Sequence, residues 1–183
     1  MIKLPQSFYD RRTVRVARDL LGKHLVHIVG GDTRMGRIVE VEAYLGEHDL
    51  ASHTSQKRKK NSASVMFGPA GFAYVYQIHQ SFCLNVVTEG EGKGAAVLIR
   101  SLEPVAGLDK PTHGPGRLCK AMGIDRTHNG HDLTSDNLFI AEKSGNDGFK
   151  IVNRPRINVP YAEKWKNSLL RFYIEGSRYI SKK

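Results

Sequence analysis

The run "RIVEVEAYLG" at residues 37–46 limits the possible folds of this chain more than any other stretch. Its β-branched apolar residues predict a strand, yet Glu40 and Glu42 stand inside it. Because side chains alternate along a strand, both acids share one face. A buried carboxylate is costly without partners, so this face is either exposed to solvent or opens onto a site.

The other apolar runs mostly indicate strands as well. Residues 72–78 and 82–87 flank a tight turn near residues 79–81, which predicts a hairpin. "GAAVLIRSLEP" predicts a strand closed by Pro104, and "GFKIVNRPRINV" and "LLRFYIEGSRYIS" predict two more. Strands therefore outnumber helices, and we expect one compact α+β domain over residues 1–183. It should have a curved, mainly antiparallel sheet and a few peripheral helices.

Two helices stand out beside these strands. Thr13 is a plausible N-cap for the first, which Gly22 should end, and "GPGRLCKAMGID" predicts the second. Cys83 and Cys119 form no CxxC pair, which favours a reducing, intracellular location. No apolar stretch approaches the length that spans a bilayer.

The chain carries 28 Lys and Arg against 18 Asp and Glu, a net charge of +10. The basic residues are spread along its whole length, so the excess belongs to the domain itself. Such a balance indicates a polyanionic partner, namely DNA, RNA or an anionic membrane surface. A basic enzyme whose charge serves only solubility is the other reading.

Polar and aromatic residues follow the acids closely. Tyr44, His48 and His53 come directly after Glu42, and carboxylate, phenol and imidazole groups that converge after a strand resemble the lining of a site. His48, Asp49 and His53 could suggest a metal, but no HExxH or CxxC signature accompanies them, so we expect none.

The hairpin and the basic run near it could serve a nucleic acid. Tyr74 and Tyr76 share a strand face, which usually means core packing but also suits stacking on a nucleobase. His79 falls at the predicted hairpin tip, where a side chain can wedge into a duplex. The cations of "SQKRKKNS" at 55–62 form either a solvated loop or phosphate contacts.

Five blocks, in order, resemble the alkyladenine (3-methyladenine) DNA glycosylase family: "GRIVEVEAYLGEHDLASH", "YVYQIHQSFCLNVV", "AVLIRSLEP", "GPGRLCKAMGID" and "LRFYIEGSRYIS". The resemblance extends from "FYDRRTVRVARDLLGKHLV" almost to the last residue. It implies a single α+β domain that excises alkylated purines, and in some members hypoxanthine or etheno-adenine, leaving an abasic site. It also implies double-stranded DNA containing damaged purines as the partner. We expect a monomer in the bacterial cytoplasm, with no cofactor, metal or membrane partner.

The resemblance also implies roles for individual residues. Glu42 matches the general base that activates water, and Glu40 is then a structural acid. His79 falls on the wedge, which is commonly tyrosine in the mammalian enzymes. Four residues match the base pocket: Tyr44, His53, Tyr76 and Asn85. Arg100 matches a residue at the rear of the site.

Two other kinds of protein fit part of this pattern. A non-catalytic basic nucleic-acid-binding domain would use the tyrosines and cations but has no use for a carboxylate facing the base. A hydrolase of RNA or nucleotides would use Glu40 and Glu42 as an acid–base pair, although neighbours on one strand suit opposite flanks of a scissile bond poorly. Glu42 is the residue that separates the glycosylase from the non-catalytic binding domain.

Overall fold

The computed structural model describes residues 1–55, 61–142 and 148–182, and only the backbone at residues 61 and 62. In these ranges the chain folds around a nine-stranded, mainly antiparallel sheet flanked by short helices, which confirms the expected α+β class. The basic run at 55–62 lies largely outside the described residues, so its expected phosphate contacts stay a prediction. None of the described helices has the length and apolarity of a membrane-spanning segment.

Strands from both ends of the chain join the one sheet, whose main order is β1-β7-β2-β3-β6-β5-β4, with β9 joined to β3 and β8 to β9. The strands are β1 (Ile2–Lys3), β2 (His24–Val29), β3 (Asp32–Tyr44), β4 (Ala73–Ile78), β5 (Ser81–Thr88), β6 (Ala95–Ala106), β7 (Leu138–Glu142), β8 (Ile151–Arg154) and β9 (Arg171–Ile174). The helices are α1 (Gln6–Tyr9), α2 (Thr13–Leu20) and α3 (Pro115–Met122), with 3₁₀ turns at Asn61–Phe67, Arg126–His128 and Glu163–Asn167.

Strand β3 is the centre of the sheet. It pairs with β6 along one side, and on the other with β2 at residues 32–37 and with β9 at residues 40–42. Val39, Val41 and Ala43 are fully buried in the main core, as their apolar character predicts. The stretch that carries the two glutamates is thus enclosed by strands on both sides.

The pairing of β3 with β6 is irregular at the acids. Glu40 faces Ser101 and Val41 faces Ile99, so Arg100 falls between paired residues of β6 and has no Cα partner on β3. A bulge of this kind bends a strand and re-aims its side chains, and bulges are common beside active sites. Arg100 is thereby turned towards both acids, as described below.

The predicted hairpin is confirmed, with β4 and β5 joined by a two-residue turn. Three strand boundaries were predicted wrongly. The run "LLRFYIEGSRYIS" forms a strand only from Arg171 to Ile174, and a turn follows in which Gly176 has φ of 78°. Strand β6 runs past Pro104 to Ala106, because Pro104 lies beside a register shift in a part of β6 that β5 does not pair. The run "GFKIVNRPRINV" forms a strand only to Arg154, since Pro155 has no N–H to donate and restricts the residue before it.

Thr13 was also predicted wrongly as an N-cap. It is the first residue of α2, and Arg12 precedes it without a side-chain capping bond. The backbone N–H of Thr13 donates instead to the carboxylate of Glu89, at 2.7 Å. A negative group at a helix N-terminus is stabilising, so a loop distant in sequence caps this helix. Gly22 follows the helix with φ of 84°, as predicted.

Gly46 lies two residues after the end of β3 and leads into the segment that carries Asp49 and His53. Its φ is 92°, and a Cβ there would lie 2.5 Å from the carbonyl oxygen of Lys93. We expect Gly46→Ala to lower the free energy of unfolding by about 2–5 kcal/mol, the sum of a left-handed backbone and an overpacked contact. Urea unfolding measures the change.

Gly92 is the matched control, because its φ is 77° but an added Cβ would meet no atom within 4 Å. Gly92→Ala should therefore cost only about 1–2 kcal/mol. Equal losses for the two variants would mean that the contact with Lys93 has no part in holding this segment.

Candidate active site

Glu40 and Glu42 lie side by side on β3, and both side chains are fully buried. Ionised groups are seldom buried without partners, because removal of a charge from water costs several kcal/mol. The described part of the chain buries three carboxylates and three guanidiniums, so the buried charges cancel: Glu40, Glu42, Asp49, Arg100, Arg156 and Arg171. All six belong to one region.

Glu40 is held by donors on every side. Its Oε1 accepts from Arg171 at 2.9 Å and from the hydroxyl of Ser181 at 2.9 Å, with Arg100 Nε at 3.3 Å. Its Oε2 accepts from the hydroxyl of Ser101 at 3.0 Å and from the backbone N–H of Ser181 at 2.6 Å. This carboxylate joins β3, β6, β9 and the segment after β9, which fits the expected structural acid.

Glu42 has fewer partners. Its Oε2 accepts from the Tyr44 hydroxyl at 2.8 Å and lies 3.1 Å from Arg100 Nη1, and its Oε1 accepts from the backbone N–H of Ile157 at 2.7 Å. Arg100 therefore bridges the two acids. Burial lowers the pKa of Arg100, but the charges of Glu42 and Glu40 more than offset this and leave its pKa above the ordinary value.

A cavity of about 310 Å³ opens in front of this cluster. Every residue that the sequence predicted for the base pocket lines it, and so does Arg100. Glu42 itself does not line the cavity but lies behind Tyr44 and Arg100, both of which contact it. The wall includes several further residues: Tyr74, Ile78, Cys83, Leu98, Pro115, Ile157, Asn158 and Val159.

Aromatic rings form one wall of the cavity. The rings of His53 and Tyr76 meet edge to face with centroids 4.5 Å apart, and Tyr74 stacks on Tyr76 at 5.4 Å. A flat base between two rings requires about 7 Å, twice the carbon contact distance of roughly 3.5 Å. In this conformation a base does not fit between His53 and Tyr76, whereas Tyr44 lines the cavity as a separate surface.

Two of the tyrosines that line the cavity, Tyr44 and Tyr76, keep their phenolic protons. Burial raises the pKa of Tyr44 well above its ordinary value, and the charge of Glu42 raises it further. Burial also raises the pKa of Tyr76, helped by a hydrogen bond to the side chain of Cys83. Tyr44 is therefore a hydrogen-bond donor to Glu42 over the physiological pH range.

A buried ion pair supports Tyr44 from behind. The guanidinium of Arg156 lies 4.8 Å from the centre of the Tyr44 ring and donates to Asp49 and to the carbonyl oxygen of Ala43. Burial lowers the pKa of Arg156, but hydrogen bonds and the charge of Asp49 raise it above the ordinary value. Asp49, which had a metal-like setting in the sequence, is thus an ion-pair partner.

The hairpin tip lies beside the cavity mouth. His79 is exposed and adopts φ of 50°, a left-handed conformation that residues other than glycine adopt rarely. The preceding residue, Ile78, lines the cavity and is 49% exposed. The tip is therefore in the position where the sequence predicts a wedge, although its contact with DNA stays a prediction.

Sequence reasoning missed four parts of the site: Asp49 and Arg156 as a pair, Arg171, the Ile157–Val159 wall and Ser181. Arg171 gave the same signal as the glutamates, a charge inside an apolar strand run. The sequence predicts a strand at Ile157–Val159, but these residues form a loop in which Asn158 has φ of 60°. Nothing local to Ser181 or Arg156 indicates their partners.

The geometry of the cavity indicates a general class of protein. A cavity with aromatic walls, backed by a buried acid and arginine in a strongly basic chain, is typical of proteins that receive a single nucleobase. The family model described as methylpurine-DNA glycosylase matches residues 7–178. The chain belongs to this family.

Three curated relatives are similar to this chain over 93–100% of their own length. A protein of Legionella pneumophila strain Lens named "Putative 3-methyladenine DNA glycosylase" is 56% identical over 183 residues, which is all of both chains. Proteins with the same name from Alkaliphilus oremlandii and Myxococcus xanthus are 44% and 48% identical. The alignment with the Alkaliphilus protein covers all of both chains, and the alignment with the Myxococcus protein covers 98% of this chain and 93% of the relative.

The contribution of the buried Asp49–Arg156 pair to the stability of the site can be tested by mutation. We expect Asp49→Asn to lower the free energy of unfolding by about 3–5 kcal/mol, because Arg156 would remain buried without its counter-charge. Urea unfolding of the two proteins measures this loss.

Asp136→Asn is the control, because Asp136 pairs with Lys3 on the surface and its side chain is 98% exposed. It should leave the midpoint of unfolding unchanged. An Asp49→Asn protein as stable as the Asp136→Asn protein would contradict a framework role for the buried pair.

Proposed function

We propose that this protein is a monofunctional DNA glycosylase that extrudes damaged purines from duplex DNA and hydrolyses their N-glycosidic bond. The substrate class is 3-methyladenine-type bases, with hypoxanthine and etheno-adenine as further candidates. The observation that carries the proposal is Glu42, a buried carboxylate directly behind an aromatic cavity. The family membership and the names of the relatives support the activity.

The surface charge suits a DNA partner. Since the six buried charges cancel, the net charge of +10 resides on the remaining residues. A basic surface neutralises phosphates and brings the enzyme to DNA without regard to sequence. The chain would act on this duplex as a single domain and a monomer, in the bacterial cytoplasm. Its two cysteines are free thiols, as that compartment maintains them.

A stacked base hides its glycosidic bond, so the nucleotide must first leave the helix. His79 would fill the vacated space, and the base would enter the cavity between Tyr44 on one face and Tyr76 on the other. His53, in contact with Tyr76, would border its edge. Stacking provides about 1–3 kcal/mol per base, and cationic methylated purines gain further attraction to electron-rich rings.

Glu42 would then act on the sugar and on water. Cleavage of the bond develops positive charge on the sugar, which an ionised carboxylate stabilises. A carboxylate has about four acceptor positions, and Tyr44, Arg100 and Ile157 occupy three of them. The remaining position can accept a proton from the water that attacks the anomeric carbon. Asn85 and Arg100 would limit the shape and polarity of the cavity around the base.

The absence of a suitable amine supports a monofunctional reaction. A bifunctional enzyme forms a Schiff base through an amine, whereas the described residues that line the cavity include no lysine. The product would therefore be an abasic site with an intact backbone. A non-catalytic DNA-binding domain is the second candidate, and it gains nothing from Glu42, because DNA phosphates repel a carboxylate.

Glu42→Gln tests the proposed chemistry. We expect single-turnover release of hypoxanthine or an alkylated purine from duplex DNA to fall by about 10²–10⁴-fold, because the amide cannot accept the water's proton. Affinity for the same duplex should be retained. Borohydride added to the wild-type reaction should trap no covalent adduct, and an adduct would exclude the monofunctional reaction.

Two carboxylates are controls. Glu47→Gln changes an exposed acid in the next loop and should leave base release unchanged. Glu40→Gln should lose stability, because Arg171 and Arg100 would face an amide, but should retain more base release than Glu42→Gln. Equal activity of wild type and Glu42→Gln would leave the binding domain as the better reading.

His79→Asn tests the wedge while keeping a residue that tolerates left-handed backbone. We expect base release from duplex DNA to fall by about tenfold, since extrusion costs a few kcal/mol and the shorter side chain fills less space. Release from a single-stranded substrate, which needs no extrusion from a helix, should change little. Gln80→Asn at the same tip is the control, and equal rates for the two variants on duplex DNA would remove the wedge role.

A further inference from the structure

One serine hydroxyl connects the structural acid to the cavity. The Ser181 hydroxyl donates to Glu40 Oε1 at 2.9 Å, and it accepts from Arg100 Nη2 at 3.2 Å and Nε at 3.3 Å. Its backbone N–H also donates to Glu40 Oε2 at 2.6 Å. Ser181 therefore lies between Glu40 and Arg100, which flank the catalytic region, and contacts both.

The direction of the Arg100 side chain depends on contacts such as the one with Ser181. It has no Cα partner on β3 because the bulge skips it, so the ladder does not determine its direction. Its Nη1 pairs with Glu42 at 3.1 Å, and Nε and Nη2 both donate to Ser181, with Nε also 3.3 Å from Glu40 Oε1. The guanidinium is planar, so two fixed nitrogens set the orientation of the third.

We propose that Ser181 is a positioning residue, which orients Arg100 so that the guanidinium holds Glu42 in its reactive place. The proposal rests on the glycosylase function proposed above. Ser181 would not touch the base, the sugar or the attacking water. It would act only through Arg100, and Ser181 and Lys182, near the end of the described chain, would thus belong to the wall of the active site.

The structure supports this segment as a fixed element. Besides the bonds of Ser181, the carbonyl oxygen of Lys182 accepts from Arg171 at 2.7 Å, the same guanidinium that pairs with Glu40. Ser181 and Lys182 also line a second cavity of about 520 Å³ that shares Arg100, Cys83 and Ile78 with the first. The segment is therefore continuous with the wall of the base cavity.

Three serines allow a matched experiment. Among the described residues, the Ser181 hydroxyl contacts Glu40 and Arg100, the Ser101 hydroxyl contacts Glu40 but not Arg100, and the Ser177 hydroxyl accepts from the backbone N–H of Tyr179, at 3.3 Å. Each is changed to alanine, and Ser181→Thr restores the hydroxyl. Single-turnover base release, affinity for damaged duplex and thermal unfolding are measured for all four variants.

We expect Ser181→Ala to lower the single-turnover rate by about ten- to a hundredfold with little change in affinity, because a small displacement of a catalytic group has effects of this size. Ser181→Thr should recover most of the rate. Ser177→Ala should match wild type, and Ser101→Ala should lose stability but keep its rate below the unfolding temperature.

Two results would overturn the positioning role: a Ser181→Ala rate equal to wild type, or equal rate losses in the Ser101→Ala and Ser181→Ala proteins. The second result would mean that the rate falls because the loss of any contact to Glu40 weakens the fold. A wild-type protein that releases no base would instead contradict the proposed function, so the two failures are distinguishable.

Discussion

The neutral cluster of buried charge is the interaction on which the rest of the structure depends. Glu40 and Glu42 occupy the central strand, and neither could remain buried and ionised without the guanidiniums of Arg100 and Arg171. These contacts join β3 to β6 and β9 and bind the segment after β9. Since a buried charge left alone costs several kcal/mol, the strands that carry the arginines must be in register for the fold to be stable.

The same cluster leaves its two acids with different surroundings. Glu40 is surrounded by donors, whereas Glu42 keeps unused acceptor capacity next to the aromatic cavity. The bulge in β6 makes this division possible, because it frees Arg100 from the ladder and lets it contact both acids. One strand therefore holds a scaffold acid and the acid that we propose as the general base, two residues apart.

Much of the fold was predictable from local pattern. The β4–β5 hairpin, helix α3 and the stop at Gly22 follow from periodicity and turn residues, and they are confirmed. Predictions were wrong where a distant partner decided the outcome. Glu89 caps α2 in place of Thr13, and the register between β3 and β6 allows Pro104 inside a strand. Local rules cannot anticipate either effect, because each depends on residues far away in the chain.

The sequence by itself determined the strand, the shared face of its two acids, the aromatic residues near them and the basic balance that points to a polyanion. Only the tertiary structure decided how the acids differ. Arg171 lies 131 residues from Glu40, Ile157 lies 115 residues from Glu42, and Arg156 lies 107 residues from Asp49. The environment of a buried charge is set by whichever groups the fold brings within a few ångströms, and adjacency along the chain carries no information about them.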